Sequence, residues 1–192
     1  MAHRFPLLVF LAAFLAGPLG AQSSPVHRVT LSAGAGKDLP YSIEVPRDWT
    51  MRQEAGYPGL FVGPAGAKPE DQGMIWIRGS KVSMADPAQV AANIRATDAQ
   101  AQDWTATRLE EREVGGIKAL LVRLDTRHGE ATRSTLILKL PLGEAGLDVL
   151  TSAEKSELDK RLSEYERILL SVQPVAPAAT AAPATPPAPK KE

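Results

Sequence analysis

Three runs of residues, Thr105 to Val114, Ile117 to Thr126 and Thr132 to Leu140, are separated by the two residues Gly115-Gly116 and by five residues around a His128-Gly129-Glu130 tip. Each run has the length and the β-branched content of a strand, and the glycines supply the permissive backbone of tight turns. Connections this short join only antiparallel neighbours, because a parallel crossover needs a dozen residues or more. In the second run Leu120, Val122 and Leu124 share one face while Ala119 and Leu121 occupy the other. Apolar residues on both faces are what a central strand covered on both sides requires.

Two helices are predicted to supply that cover. Asp86-Pro87-Ala88-Gln89 places a capping residue, a proline at the first helical position and a Gln three after the cap, and Val90, Ile94 and Ala101 continue an apolar stripe. Towards the end of the chain Thr151 with Glu154 reads as a capping box, and Leu158, Leu162, Tyr165, Leu169 and Val172 recur at intervals of 4, 3, 4 and 3 residues. Further strands are expected at Val26 to Ala33 and Tyr41 to Val45, an opening hairpin, then at Leu60 to Val62, Met74 to Ile77 and Leu147 to Thr151. The stretch after Trp49 reads as irregular, and Gly63 to Gly73 as a polar loop rich in Gly and Pro. The predicted fold is α+β: a mainly antiparallel β-sheet with a helix packed on each face.

The two ends stand apart from this pattern. His3 and Arg4 precede an apolar run from Phe5 to Ala16, followed by Gly17-Pro18 and small residues to Ala21. That is the layout of a secretory signal peptide over 1–21, with an apolar run too short to span a bilayer. Cleavage leaves Gln22 as the mature N-terminus, no stable membrane insertion, and a periplasmic or secreted protein. From Gln173 to Glu192 the chain is dominated by Ala and Pro, which predicts an extended, disordered tail. Residues 22–172 then form one domain. Its 192-residue parent has 22 basic and 22 acidic residues and no Cys. The charge balance argues against nucleic-acid binding, and the absence of Cys excludes disulfides, thiolate catalysis and thiolate metal sites.

Chemical motifs are few. Gly34-Ala35-Gly36-Lys37-Asp38 lacks the upstream Gly and the Ser or Thr of a phosphate loop and precedes a strand. His27 and His128 are the histidines of the mature chain, and neither has ligand spacing, so no metal and no cofactor is expected. Asp125, His128 and Ser134 contain the residue types of a hydrolytic triad, but they fall on one hairpin and no GxSxG elbow surrounds Ser134. Alternation sends Glu111 and Glu113 to one face and Glu110 with Arg112 to the other, the pattern of a charged edge strand. Pro69-Glu70-Asp71-Gln72 is the best loop for calcium, with too few oxygens to make a site. The aromatic residues Tyr57, Phe61 and Trp76, near the Gly-rich loop, are the candidate ligand-binding group; the competing reading of Trp76, as of Trp49, is a core aromatic.

Tyr41-Ser42-Ile43-Glu44-Val45-Pro46-Arg47-Asp48-Trp49 resembles the start of PsbP-like domains, where a strand leads into a proline, a short turn and a tryptophan. Val114-Gly115-Gly116-Ile117-Lys118-Ala119 is similar to that family's strand-Gly-strand hairpin, and Ile168-Leu169-Leu170-Ser171-Val172 to its ending on the last helix. The resemblance spans Val29 to Val172. It implies an α-β-α sandwich of the kind used by extrinsic photosystem proteins, a nuclear-transport cofactor and bacterial envelope proteins of the DcrB type. These are mostly accessory or binding proteins, and no catalytic constellation belongs to the family. The missing Cys departs from its bacterial lipoprotein members.

The resulting expectation is an exported, non-catalytic accessory or binding protein of the bacterial cell envelope, a monomer with an envelope protein or a small ligand as partner. Two alternatives are a small hydrolase or metal-assisted enzyme using His128 with nearby carboxylates, and a structural envelope component acting through the Pro-rich tail.

Overall fold

The structure is a computed structural model that describes residues 25–32, 38–53, 55, 59–68 and 73–175. Residues 1–24, which include the predicted signal peptide, residues 176–192, which make up most of the predicted tail, Tyr57, residues 33–37 and the calcium candidate Pro69 to Gln72 lie outside the described residues. Among the described residues ten strands and three helices follow in the order β1 (Val26–Ser32), β2 (Asp38–Pro46), β3 (Trp49–Arg52), β4 (Leu60–Pro64), β5 (Ile75–Ser80), α1 (Pro87–Asp98), β6 (Trp104–Val114), β7 (Ile117–His128), β8 (Ala131–Leu142), β9 (Ala145–Glu154), α2 (Lys155–Lys160), α3 (Leu162–Leu170) and β10 (Gln173–Pro174).

The main sheet has seven strands in the order β3-β4-β5-β9-β8-β7-β6, and every pairing in it is antiparallel. Its two faces carry different covers. On one, Ala119, Leu121, Leu136, Leu138 and Val149 pack against Leu158 of α2 and Tyr165, Ile168 and Leu169 of α3. On the other, Leu120, Val122, Ile137 and Leu150 pack against Met84 and the α1 residues Val90 and Ala91. The alternation along the central strand therefore reads correctly, and so does a helix on each face. The opening hairpin is not part of this sheet. β1 and β2 join β10 in a separate three-stranded sheet, which adds Leu31, Tyr41, Ile43 and Val45 to the α2–α3 side of the core. The Tyr41 hydroxyl donates to the Pro141 carbonyl and so ties the two sheets together.

Several local expectations are corrected. The chain after Trp49 is not irregular but forms β3, because Trp49 through Arg52 pair with Pro64 through Phe61. Thr151 does not cap the final helix. β9 continues to Glu154 because β8 offers partners as far as Arg133, so Thr151 is a fully buried strand residue. Glu154 takes the cap position without a side-chain bond. The terminal helix is also broken at Arg161, whose φ of −112° and ψ of 12° separate α2 from α3 while the apolar stripe stays on one side. Ala101 lies beyond the end of α1. Gln173 and Pro174, placed in the tail by composition, pair with Ser42 and Tyr41.

The start of α1 forms as its sequence predicts. Asp86 is extended, and its carboxylate accepts from the Gln89 backbone N–H at 3.2 Å, with Pro87 in the first turn. The Gln89 side chain does not complete the box; it donates to Asn93 Oδ1 at 3.0 Å. β6 is an edge of the main sheet, as its charges predict. Glu110 accepts from both Arg108 and Arg112 on one face, Arg108 reaches Glu166 of α3, and Glu111 and Glu113 are exposed.

Candidate functional site

The α1 side of the main sheet is covered unevenly: α1 lies over β6 and β7. Beyond it, strand alternation brings Phe61, Trp76 and Arg78 to the same side. Phe61 is directly opposite Trp76 in the β4–β5 pairing, and their rings stack with centroids 5.6 Å apart and an interplanar angle of 13°. The Arg78 guanidinium sits 5.0 Å from the centre of the Trp76 ring, the geometry of a cation–π contact. Phe61 is buried, whereas Trp76 is partly exposed. Gly59 is constrained by this arrangement: its φ is +114°, and a Cβ there would meet the Ile77 carbonyl and lie 2.9 Å from Trp76 Nε1. Two of the three predicted binding aromatics, Phe61 and Trp76, are thus brought together. Tyr57 lies outside the described residues.

The row continues into charge. Arg78, Asp148 and Lys139 are consecutive partners across β5, β9 and β8. Lys139 Nζ donates to Asp148 Oδ1 at 2.8 Å, and Arg78 Nε lies 3.8 Å from Asp148 Oδ2. Asp148 and Lys139 are almost wholly buried side chains, and Arg78 is 42% exposed. Two cations around one carboxylate leave an excess of positive charge under a partly apolar surface. Sequence reasoning missed this triad although a signal existed. Lys139 and Asp148 are each a single charge inside an otherwise apolar run, with opposite signs, but their pairing depends on a register that only the folded sheet supplies.

Between α1 and the sheet lies a groove of about 310 Å³ bordered by Val82, Val90, Ile94, Trp104 and Lys139, with Asn93 and Thr97 at its mouth.

The opposite face holds the remains of the triad reading. Asp125 and Ser134 are directly opposed in the β7–β8 pairing, and Ser134 donates its hydroxyl to Asp125 Oδ1. Lys155 of α2 donates to Asp125 Oδ2 at 2.6 Å, and Arg123 donates to Ser134 Oγ at 3.1 Å and to Asp159 at 2.6 Å. Burial pushes the Asp125 carboxyl up, but the bonds from Lys155 and Ser134 and the charges of Lys155 and Arg123 outweigh it, and its pKa lies below the ordinary value. His128 is exposed near the tip of the hairpin, three residues along the strand and hence on the opposite face. At about 3.4 Å per residue it stands about 10 Å further along the strand from Asp125. Ser134 is fully buried. The three side chains therefore do not assemble as nucleophile, base and orienting acid. Among the described residues no group of three or more His, Asp or Glu side chains is arranged to hold a metal ion.

Among the described residues no helix is long and apolar enough to cross a membrane. No family model and no curated protein matches this chain. By structure the chain is similar to the cyanobacterial PsbP (CyanoP) of Synechocystis sp. PCC 6803, with a TM-score of 0.54 and 15% identity over 82% of this chain and 99% of that one. LpqN of Mycobacterium tuberculosis, a protein involved in cell envelope biogenesis, aligns with a TM-score of 0.49 and 15% identity over 79% of this chain and 92% of its own. At 15% identity the likeness to CyanoP is one of architecture. The mostly antiparallel sheet between helices is a PsbP-like fold, as the sequence resemblance implied.

Proposed function

We propose that this chain is an exported, non-catalytic accessory or binding protein of the bacterial cell envelope, and that its binding surface is the α1 side of the main sheet. The observation that carries the reading is the Phe61–Trp76–Arg78 row, a stacked aromatic pair beside a guanidinium, in which Trp76 and Arg78 are partly exposed on that side of the sheet. Aromatic and arginine side chains in such a setting supply contact area and directional charge together, the combination found at binding hot spots. The reading of the chain as exported rests on the signal-peptide pattern of residues 1–21, with the folded domain running from residue 22 through the β10 pairing at Gln173 and Pro174 and the Ala/Pro-rich tail after it. The PsbP-like architecture is compatible with a role without chemistry of its own.

Native mass spectrometry of the protein purified from its own periplasm, set against the denatured mass of the same sample, tests this. The denatured mass is expected to begin at Gln22. The native mass is expected to exceed it by a bound partner or ligand, and the excess is expected to fall in Trp76→Ala and Arg78→Ala variants. A bare monomer in the native spectrum counts against the binding reading, as does an excess that both variants retain.

A further inference from the structure

The groove beside α1 has chemistry of its own. Along the helix, Val90, Ile94 and Thr97 follow one flank at intervals of one turn, covering about 10 Å at 1.5 Å per residue. Val82 stands at one end, 47% exposed; among the described residues it and Val175 are the large apolar side chains left open to solvent. Register places the ends. Val82 lies against Gly146, which pairs with Pro141, two residues from Lys139. Trp104 pairs with Thr126 and through it lies level with Arg133, towards the other end of β8. The groove therefore has an apolar length closed by an indole at one end and an ammonium at the other.

Lys139 is unusual for its position. Its side chain is 12% exposed, and an ammonium has three donors to satisfy. Among the described residues its acceptor is Asp148, so donors remain for a second anion. Arg78 adds a further positive charge beside the same carboxylate. A ligand matching this groove has an apolar body and one anionic end. A peptide would bring backbone N–H and C=O groups into a groove lined by side chains of α1, Val82, Trp104 and Lys139, where β8, the strand that carries Lys139, has both edges already paired, and unpaired buried backbone groups are costly. An alkyl chain brings none, and each buried methylene contributes about 0.8 kcal/mol.

We propose that the groove binds a single medium-chain carboxylate, a fatty acid, with its tail along Val90, Ile94 and Trp104 and its head on Lys139. This rests on the reading of the chain as a binding protein and names the class of its ligand.

The test is an NMR titration of the ¹⁵N-labelled exported protein with decanoate, 1-decanol and decyltrimethylammonium. Decanoate is expected to shift the Ile94 and Thr97 amides and the Trp104 indole N–H. Decanol, which lacks the charge-assisted bond, is expected to bind about tenfold more weakly, and the cationic probe more weakly still. Thr97→Trp, a change at an exposed position on the groove mouth, is expected to abolish these shifts with the remaining spectrum unaltered. Lys139→Met is expected to equalise decanoate and decanol. Equal affinity of the three probes for the unmodified protein overturns the proposal, as does the absence of shifts at the groove. Shifts there from an apolar peptide and from no amphiphile overturn it in favour of a peptide. Failure with decanoate alongside extra native mass in protein from the periplasm removes the fatty acid and leaves the binding reading standing; loss of both removes both.

Discussion

Lys139 Nζ donates to Asp148 Oδ1 across β8 and β9 at 2.8 Å, and the two side chains are only 12% and 7% exposed. A pair buried this far is held more by the cost of separating it than by its net attraction, since both ions have left water. Lys139→Ala is expected to lower stability by about 3 kcal/mol, towards the low end for a broken buried pair because Arg78 still faces Asp148. Replacing both partners, Lys139→Met with Asp148→Leu, is expected to recover most of the loss. Urea unfolding of the two variants, read at a common m-value, checks both statements.

Acid should weaken the fold through Asp125. Its pKa lies below the ordinary value because, although burial pushes it up, Lys155, Ser134 and Arg123 favour the ionised form more strongly. A carboxyl lowered on folding contributes stability that is present above its unfolded value, about pH 4, and is lost as the pH falls through the folded value. Stability measured between pH 6 and pH 2 is therefore expected to fall at the acid end, less steeply in Asp125→Asn. An unchanged slope in that variant would assign the acid sensitivity elsewhere, with Glu110, lowered chiefly by its bond from Arg108, as the next carboxyl to test.

Gly73 connects the loop before β5 to the terminal helix. It has a φ of +85°, and a Cβ there would run into the Tyr165 hydroxyl and lie 3.0 Å from the Arg161 guanidinium. Tyr165 is itself buried, with Arg161 lying over its ring. Gly129 has a similar φ of +63° with nothing near its would-be Cβ. Gly129→Ala is expected to cost about 1 kcal/mol from backbone strain alone, and Gly73→Ala about 2 kcal/mol or more because strain and overpacking add. Thermal unfolding of the two variants separates the contributions.

The α1 cap offers a smaller change next to the proposed groove. Asp86→Ala removes the acceptor for the Gln89 N–H and is expected to cost about 1 kcal/mol. Asp86→Ser is expected to restore most of it. Because Val90 and Ile94 stand on the helix that this cap begins, hydrogen exchange at their amides is expected to rise in the Ala variant and not in the Ser variant.

Much of the fold was legible because its determinants are local. Gly115-Gly116 and the Gly129 tip admit only tight turns, so three antiparallel strands followed from chain connectivity. Asp86 and Pro87 marked a helix start through groups one turn away. The alternation of Leu120 and Leu121 already contained both cores. Where the expectation failed, a distant partner prevailed over a local signal. The box formed by Thr151 and Glu154 yielded to ladder bonds from β8, Trp49 through Arg52 became a strand because β4 was there to pair with, and Gln173 and Pro174 were held by β2 in spite of their composition.

The candidate site divides along the same line. Phe61 and Trp76 were singled out as aromatics on short strands, and Asp125 and Ser134 as residues of one hairpin, all from positions along the chain. Which of them meet was decided by register and strand parity: Phe61 opposite Trp76, Asp125 opposite Ser134, and His128 turned to the other face. Lys139 and Asp148 are nine residues apart, yet their pairing, and the placing of α1 beside them to leave a groove, exist only after the sheet has formed. The sequence by itself determined the periodicities, the turns and the caps, because those depend on neighbours within a few residues. Tertiary structure decided which charges were buried together and where the surface stayed open, because desolvation and contact depend on what the rest of the chain brings alongside.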